Sequence, residues 1–193
     1  MFESPPPSEA HPPPRPPDPP DSALVTRAQD GDPDAFEVLV RRHQDTVYRI
    51  ALRVLGDEGD AADAAQEALV AAWHRLPDLA DPVSFRAWLY RIAGRRALNL
   101  ARARTPEAPA DNVEAAATPA GPEQHTVAGD LRHALARALA GLPPGQRTCW
   151  VLRELEGMGY EEIADVVGAG PDAVRGRIHR ARARLVEELA PWR

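Results

Sequence analysis

Residues 160–185, YEEIADVVGAGPDAVRGRIHRARARL, constrain the fold of this chain more than any other stretch. Ile163, Ala164 and Val167 recur at helical spacing, and Val174, Ile178, Ala181 and Leu185 recur in three- and four-residue steps, so each of two helices has one apolar face. Between them Gly168, Ala169 and Gly170 end the first helix, and Pro171 is pre-set for the first turn of the second. The second helix carries Arg175, Arg177, His179, Arg180, Arg182 and Arg184, with no acid between Asp172 and Glu187. A helix of this size fits the DNA major groove, where arginine pairs with guanine edges or phosphates. The chain as a whole is acidic, at a formal net charge of -6, so positive charge is concentrated here rather than spread. Concentration favours a localised nucleic-acid site over an ordinary solvated face.

Few β-branched or aromatic runs alternate with period two, so the expected fold class is all-α, in two small helical domains joined by a flexible linker. Cys149 is the only cysteine, which excludes an internal disulfide and a cysteine-rich zinc site and points to packing in a reducing compartment. No apolar run is long enough to span a membrane, and the N-terminus lacks the basic-then-apolar pattern of a signal peptide, so a cytoplasmic protein is expected.

Residues 1–21 are mostly proline and read as a tail in extended or disordered form. The first unit, 22–104, opens with a short helix ended by Gly31. A longer helix follows, with Asp32 as its cap, Pro33 in its first turn and an apolar stripe from Phe36 to Val54. Asp57, Glu58, Asp60 and Asp63 lack the order of a calcium loop and instead start a helix over 59–76. Ala62, Ala65, Leu69, Ala72, Trp73 and Leu76 are expected on its inner side, and Asp63, Gln66 and Glu67 on an outer side open to a partner. The next helix interleaves Phe85, Trp88, Leu89, Ile92 and Leu100 with Arg86, Arg91, Arg95, Arg96, Arg102 and Arg104. Cations and flat rings together suit the phosphates and unstacked bases of single-stranded DNA. Residues 105–125 return to proline, alanine and acids without periodicity and read as the linker. The second unit, 126–189, begins with Val127, Leu131, Leu135 and Leu139 on one helix. Another follows with Trp150, Val151 and Leu155 inward, and residues 190–193 form a tail.

In this order the elements resemble the extracytoplasmic-function group of the sigma-70 family of bacterial RNA polymerase sigma factors. GDPDAFEVLVRRHQDTVYRIALRVL is similar to region 2.1, DAADAAQEALVAAW to region 2.2, FRAWLYRIAGRRALNLARAR to regions 2.3 and 2.4, and residues 139–185 to region 4. The resemblance implies that Asp63, Gln66, Glu67 and Leu69 bind the β′ clamp helices of core polymerase. It implies that a base of the melted -10 strand enters a pocket at residues 79–85. Leu79, Asp81, Ser84 and Phe85 would then join Trp88, Arg91 and Arg95 in -10 binding. It places Pro171, Arg175, Gly176, Arg177, His179, Arg180 and Arg182 at the -35 element, with the second unit resting on the β flap, and it implies regulation by an anti-sigma factor. Ala173 and Gly176 stand where the family has Thr and Ser, and Gly94 and Arg95 where Arg-Asn is common.

These residues point to a promoter-specificity subunit without catalytic residues, metal or cofactor. His43, His74, His125, His133 and His179 are scattered without a partner at motif spacing. The alternative is a helix-turn-helix transcription regulator whose N-terminal helices sense a ligand.

Overall fold

The computed structural model describes residues 18–104 and 127–192, so the tail up to residue 17 and the expected linker lie outside the described residues. Eight α-helices, joined by short 3-10 turns and one π-helical turn, account for the regular structure among the described residues.

Helix α1 (Asp21–Gln29) leads into α2 (Pro33–Leu55). The Asp32 side chain accepts hydrogen bonds from the backbone N–H groups of Asp34 and Ala35, and Gly56 ends α2 in the left-handed conformation at φ 74°. Both ends are written in the sequence as cap residues. Asp21, at the start of α1, takes Arg42 Nη1 at 2.9 Å and His43 Nε2 at 2.7 Å, while His43 Nδ1 lies 3.3 Å from the Tyr90 hydroxyl. Burial pushes the Asp21 carboxyl up, but these two hydrogen bonds outweigh it and hold the group below its ordinary value. The network pins α1 to α2 and to helix α4 (Phe85–Arg104).

Helix α3 (Glu58–Arg75) buries a face shifted from the expected one, with Ala65 and Ala72 inward as expected. Its buried residues are Ala61, Ala64, Ala65, Ala68 and Ala72, whereas Ala62 and Trp73 are exposed and Leu69 is half-buried. Methyl groups alone let α3 lie close against α2 and α4. The larger side chains turn outward, and Trp73 packs tilted against Phe36 with centroids 4.8 Å apart.

Helix α4 also departs from a single stripe. Phe85, Leu89, Tyr90, Ala93, Gly94, Ala97, Leu98 and Ala101 are buried, while Trp88, Ile92 and Leu100 are only half-buried. The cause is tertiary: α4 packs on α2 and α3 at one side and on α6 (Pro144–Trp150) and α7 (Tyr160–Val167) at another. A helix covered from two sides loses clean amphipathicity.

In the second unit, α5 (Val127–Ala140) buries Ala134, Ala138 and Leu139 and leaves Leu131 exposed. Helix α6 buries Gln146, Arg147, Thr148 and Cys149 and continues as a π-helical turn over Val151–Leu155. Val151 is buried as expected, but the widened turn leaves Leu155 exposed and Trp150 half-buried. Helix α8 (Pro171–Glu188) completes the unit. One continuous core runs from Leu39 and Leu98 of the first unit to Leu152, Ile163 and Ile178 of the second, so the two units pack directly on each other.

Candidate nucleic-acid and partner interfaces

The helix-turn-helix is α7, Gly168 at φ 66°, a short turn, and α8 with Pro171 in its first turn. Glu162 accepts the backbone N–H of Gly159 at 2.7 Å and so caps α7. Val174, Ile178, Ala181 and Leu185 hold α8 to the core, as their spacing predicts. That orientation turns Asp172, Arg175, His179 and Arg180 to the exposed side, with Gly176 half-exposed among them. Asp172 accepts from Arg175 Nη2 at 2.5 Å, and the Arg175 guanidinium lies 5.3 Å from the centre of the Tyr160 ring. Arg182 is held by Glu154 at 2.6 Å.

Arg177 stands apart from the other basic residues of α8. It is half-buried, one of its terminal nitrogens is enclosed, and it runs beside Gly145 and Cys149 of α6. Burial pushes the Cys149 thiol up to about 11, so this cysteine is an uncharged packing residue at neutral pH.

Side-chain hydrogen bonds hold the loop before α4. Gln29 Nε2 donates to the carbonyls of Leu76 at 2.9 Å and Leu79 at 2.8 Å, and the Leu79 side chain is buried. Asp81 accepts the Val83 N–H at 3.0 Å through its carboxylate and the Ser84 hydroxyl at 2.7 Å through its carbonyl. Phe85 is buried edge-on against His43. Among the expected -10 residues, then, Leu79 and Phe85 build the scaffold, Asp81 and Ser84 shape the loop, and Trp88 is half-buried. Val83 at the tip is 80% exposed, which marks it as the loop's most available apolar surface. Val83 falls within residues 79–85, where the family resemblance puts the pocket, but the exposure of a loop valine leaves no periodic signal of its own.

Arg91 and Arg95 of α4 both reach α7: Arg91 Nη1 lies 3.5 Å from the Asp165 carboxylate, and Arg95 donates to the Asp165 carbonyl. Arg102 Nη2 donates to the Val167 carbonyl at 3.4 Å. Asp165 was not expected to matter, since an exposed acid on a short helix looks like ordinary solvation.

On α3, Asp63, Gln66 and Glu67 are exposed, and Glu67 pairs with Arg96. Gln66, Leu69 and Val70 border an open groove whose other wall is Gln44, Asp45 and Tyr48 of α2. The groove is mostly apolar with polar edges, the character of a protein-docking surface. Among the described residues no cluster of three or more His, Cys, Asp or Glu side chains is arranged to hold a metal ion, and no helix is long and apolar enough to cross a membrane.

Two family descriptions match the chain, Sigma-70 region 2 over residues 39–107 and Sigma-70, region 4 over residues 132–185. The chain is 36% identical over 182 residues to the ECF RNA polymerase sigma-E factor of Escherichia coli strain K12, covering 89% of this chain and 95% of that one. It is 35% identical over 182 residues to the RNA polymerase sigma-H factor of Pseudomonas aeruginosa, covering 89% and 94%. Among solved structures, CnrH in complex with the cytosolic domain of CnrY aligns at a TM-score of 0.64 and 35% identity, covering 89% of this chain and 97% of CnrH.

Proposed function

The chain belongs to the extracytoplasmic-function group of the sigma-70 family of bacterial RNA polymerase sigma factors, and on that premise we propose how its surfaces divide the work of transcription initiation. Sigma factors are not enzymes, and this chain acts by binding alone. Asp63, Gln66, Glu67 and Leu69 of α3, with the groove they border, dock on the β′ clamp helices of core polymerase, and the second unit rests on the β flap. The outward side of α8 reads the -35 element: Arg175, Gly176, His179 and Arg180 face base edges and the adjacent phosphates, while Pro171 and Arg182 lie along the backbone. Arg177 supports the helix from behind. Val83, Ser84 and Trp88 meet unstacked bases of the -10 strand, Asp81, Leu79 and Phe85 shape the loop that receives them, and Arg91 and Arg95 take its phosphates.

One observation carries this reading. A single chain holds an exposed basic recognition helix, an arginine-lined helix behind a hydrogen-bonded loop, and an acidic helix beside a groove. A dimeric helix-turn-helix regulator needs only the first. Its likeness to CnrH, solved with the cytosolic domain of CnrY, supports an anti-sigma partner that binds this chain in the cytoplasm.

Pull-down with core polymerase followed by transcription from a defined promoter tests the reading. Promoter-dependent transcripts are expected only with the chain present. Dimeric binding to duplex DNA with polymerase left untouched supports the regulator instead.

A further inference from the structure

The loop over residues 79–85 is suspended between two roots, and the short helix α1 reaches both. At the first root one amide spans the 3-10 turn Leu76–Asp78: Gln29 Nε2 donates to the Leu76 carbonyl at 2.9 Å and to the Leu79 carbonyl at 2.8 Å. The Leu76 carbonyl also accepts the Leu79 N–H at 3.1 Å, and both leucine side chains are buried. At the second root the buried Phe85 ring meets His43 edge-on, with centroids 5.5 Å apart, and His43 Nε2 lies 2.7 Å from the Asp21 carboxylate. Asp21 and Gln29 are the first and last residues of α1. From this geometry we infer that α1 is a strut for -10 base capture and that Gln29 is the positioning residue through which it acts; the inference rests on the assignment of the loop to the -10 strand.

Gln29 projects from a backbone that is fixed on both sides. Leu24, Val25 and Ala28 bury one face of α1, and just past its end Arg27 pairs with Asp32, the cap of α2, at 2.7 Å. The amide fork ties two peptide units three residues apart, which sets the direction in which Ala80 and Asp81 leave the turn. Beyond that point the loop holds itself, since Asp81 takes the Val83 N–H at 3.0 Å and the Ser84 hydroxyl at 2.7 Å. Without the fork the loop keeps these inner hydrogen bonds and loses the direction fixed at Leu79.

Two arguments separate this role from plain stabilisation. Both carbonyls are only partly buried, so water can replace the lost donor and the fold loses little. Base capture is more demanding. Drawing a base out of its stack is unfavourable, and a receiving wall that is in place in only a fraction of molecules lowers the apparent affinity by that fraction. The phosphate-binding arginines of α4 and the docking surfaces of α3 and α8 do not depend on the path of this loop.

The test uses holoenzyme assembled from core polymerase and the full chain. The probe is a fluorescein-labelled single strand from the -10 region of the transcribed promoter, with a set in which one base at a time is replaced by an abasic sugar. With the unaltered chain, removing the captured base is expected to weaken binding about tenfold. Gln29→Met keeps the side-chain length and has no donor. It is expected to weaken binding of the intact strand about tenfold and to leave that abasic strand unchanged, so discrimination at that position disappears. The salt dependence stays the same, because the phosphate contacts remain. Gln29→Asn keeps an amide too short to reach both carbonyls and is expected to act in the same direction by about threefold. Circular dichroism, core-polymerase affinity and -35 duplex affinity check that both variants are folded. Full discrimination in both variants removes Gln29 and overturns the inference while the -10 assignment stands. Equal losses on intact and abasic strands also overturn it, since they mark a purely structural role. If no base removal weakens binding of the unaltered chain, the -10 assignment of the loop falls and the inference with it.

Discussion

Arg147 Nη1 lies 2.8 Å from the carbonyl oxygen of Val54, so a guanidinium of the second unit closes the last turn of a helix in the first. Its Nη2 reaches the carbonyls of Ala140 at 2.5 Å and Leu142 at 3.0 Å, so one buried side chain ties α2, α5 and the turn before α6 together. Burial pulls its pKa down to about 10, which leaves it charged at neutral pH.

Arg147→Met is expected to cost about 2 kcal/mol, because buried carbonyls lose their donors while the stem volume is kept. Arg147→Lys is not expected to rescue it, since an ammonium cannot fork across three carbonyls as a guanidinium does. Urea unfolding at neutral pH measures both.

Glu156 gives the contact between the units a pH dependence. Burial raises its carboxyl above the ordinary 4.5, although Arg53, Arg49 and Arg86 pull the other way. The folded chain therefore holds this proton more tightly than the unfolded chain. Its contribution is most favourable at and below the ordinary carboxylate range and is lost as pH rises through the raised value, with the penalty fully present at neutral pH. Glu156→Gln is expected to flatten this part of the stability profile. Unfolding midpoints of the two proteins across a pH series provide the check.

On α8, Arg180→Ala and Arg175→Ala are each expected to cost about 1–3 kcal/mol of discrimination between -35 sequences. Arg182→Ala is expected to weaken all sequences alike and to lower the salt dependence of binding. Fluorescence anisotropy of holoenzyme on duplexes that differ only at -35, at two salt concentrations, distinguishes these effects.

Gly176→Ala is expected to stabilise α8 by about 1 kcal/mol. A Cβ there meets only Arg180 Nη1, at 3.4 Å, which is ordinary contact with a flexible group. Gly176→Ser adds a hydroxyl to the outward side and is expected to shift base preference at -35. Thermal melting reads the first effect, and selection of bound duplexes from a random pool reads the second.

Gln66→Arg, on the exposed side of α3, is expected to weaken core-polymerase binding at least about tenfold, because a cation replaces a neutral polar group in the docking surface. Binding of the free chain to -35 duplex is expected to be unchanged. Native gel titration of polymerase and anisotropy of the duplex give the two readouts.

The all-helical class and the ends of α2, α7 and α8 were legible because Asp32, Gly56, Gly168 and Pro171 act locally, through caps and fixed backbone angles. The inward face of α8 was legible for the same reason: Val174, Ile178, Ala181 and Leu185 repeat on one side whatever lies beneath them. Local spacing could not reveal that Arg177 turns inward, that Leu131 and Trp73 stay outside, or that α3 lies on alanines. Each of these depends on how closely a neighbouring helix approaches.

By itself, the sequence determined which segments are helices, where they stop, and that basic side chains gather on α4 and α8, because caps, turns and periodicity are properties of a few adjacent residues. Tertiary structure alone decided that α4 is covered from two sides, that Gly94 receives Leu152 and Val166, and that Asp165 meets Arg91 and Arg95. Those partners are separated by about sixty residues or more and carry no shared period. Only the packing of one unit against the other brings carboxylate, carbonyls and arginines within hydrogen-bonding reach.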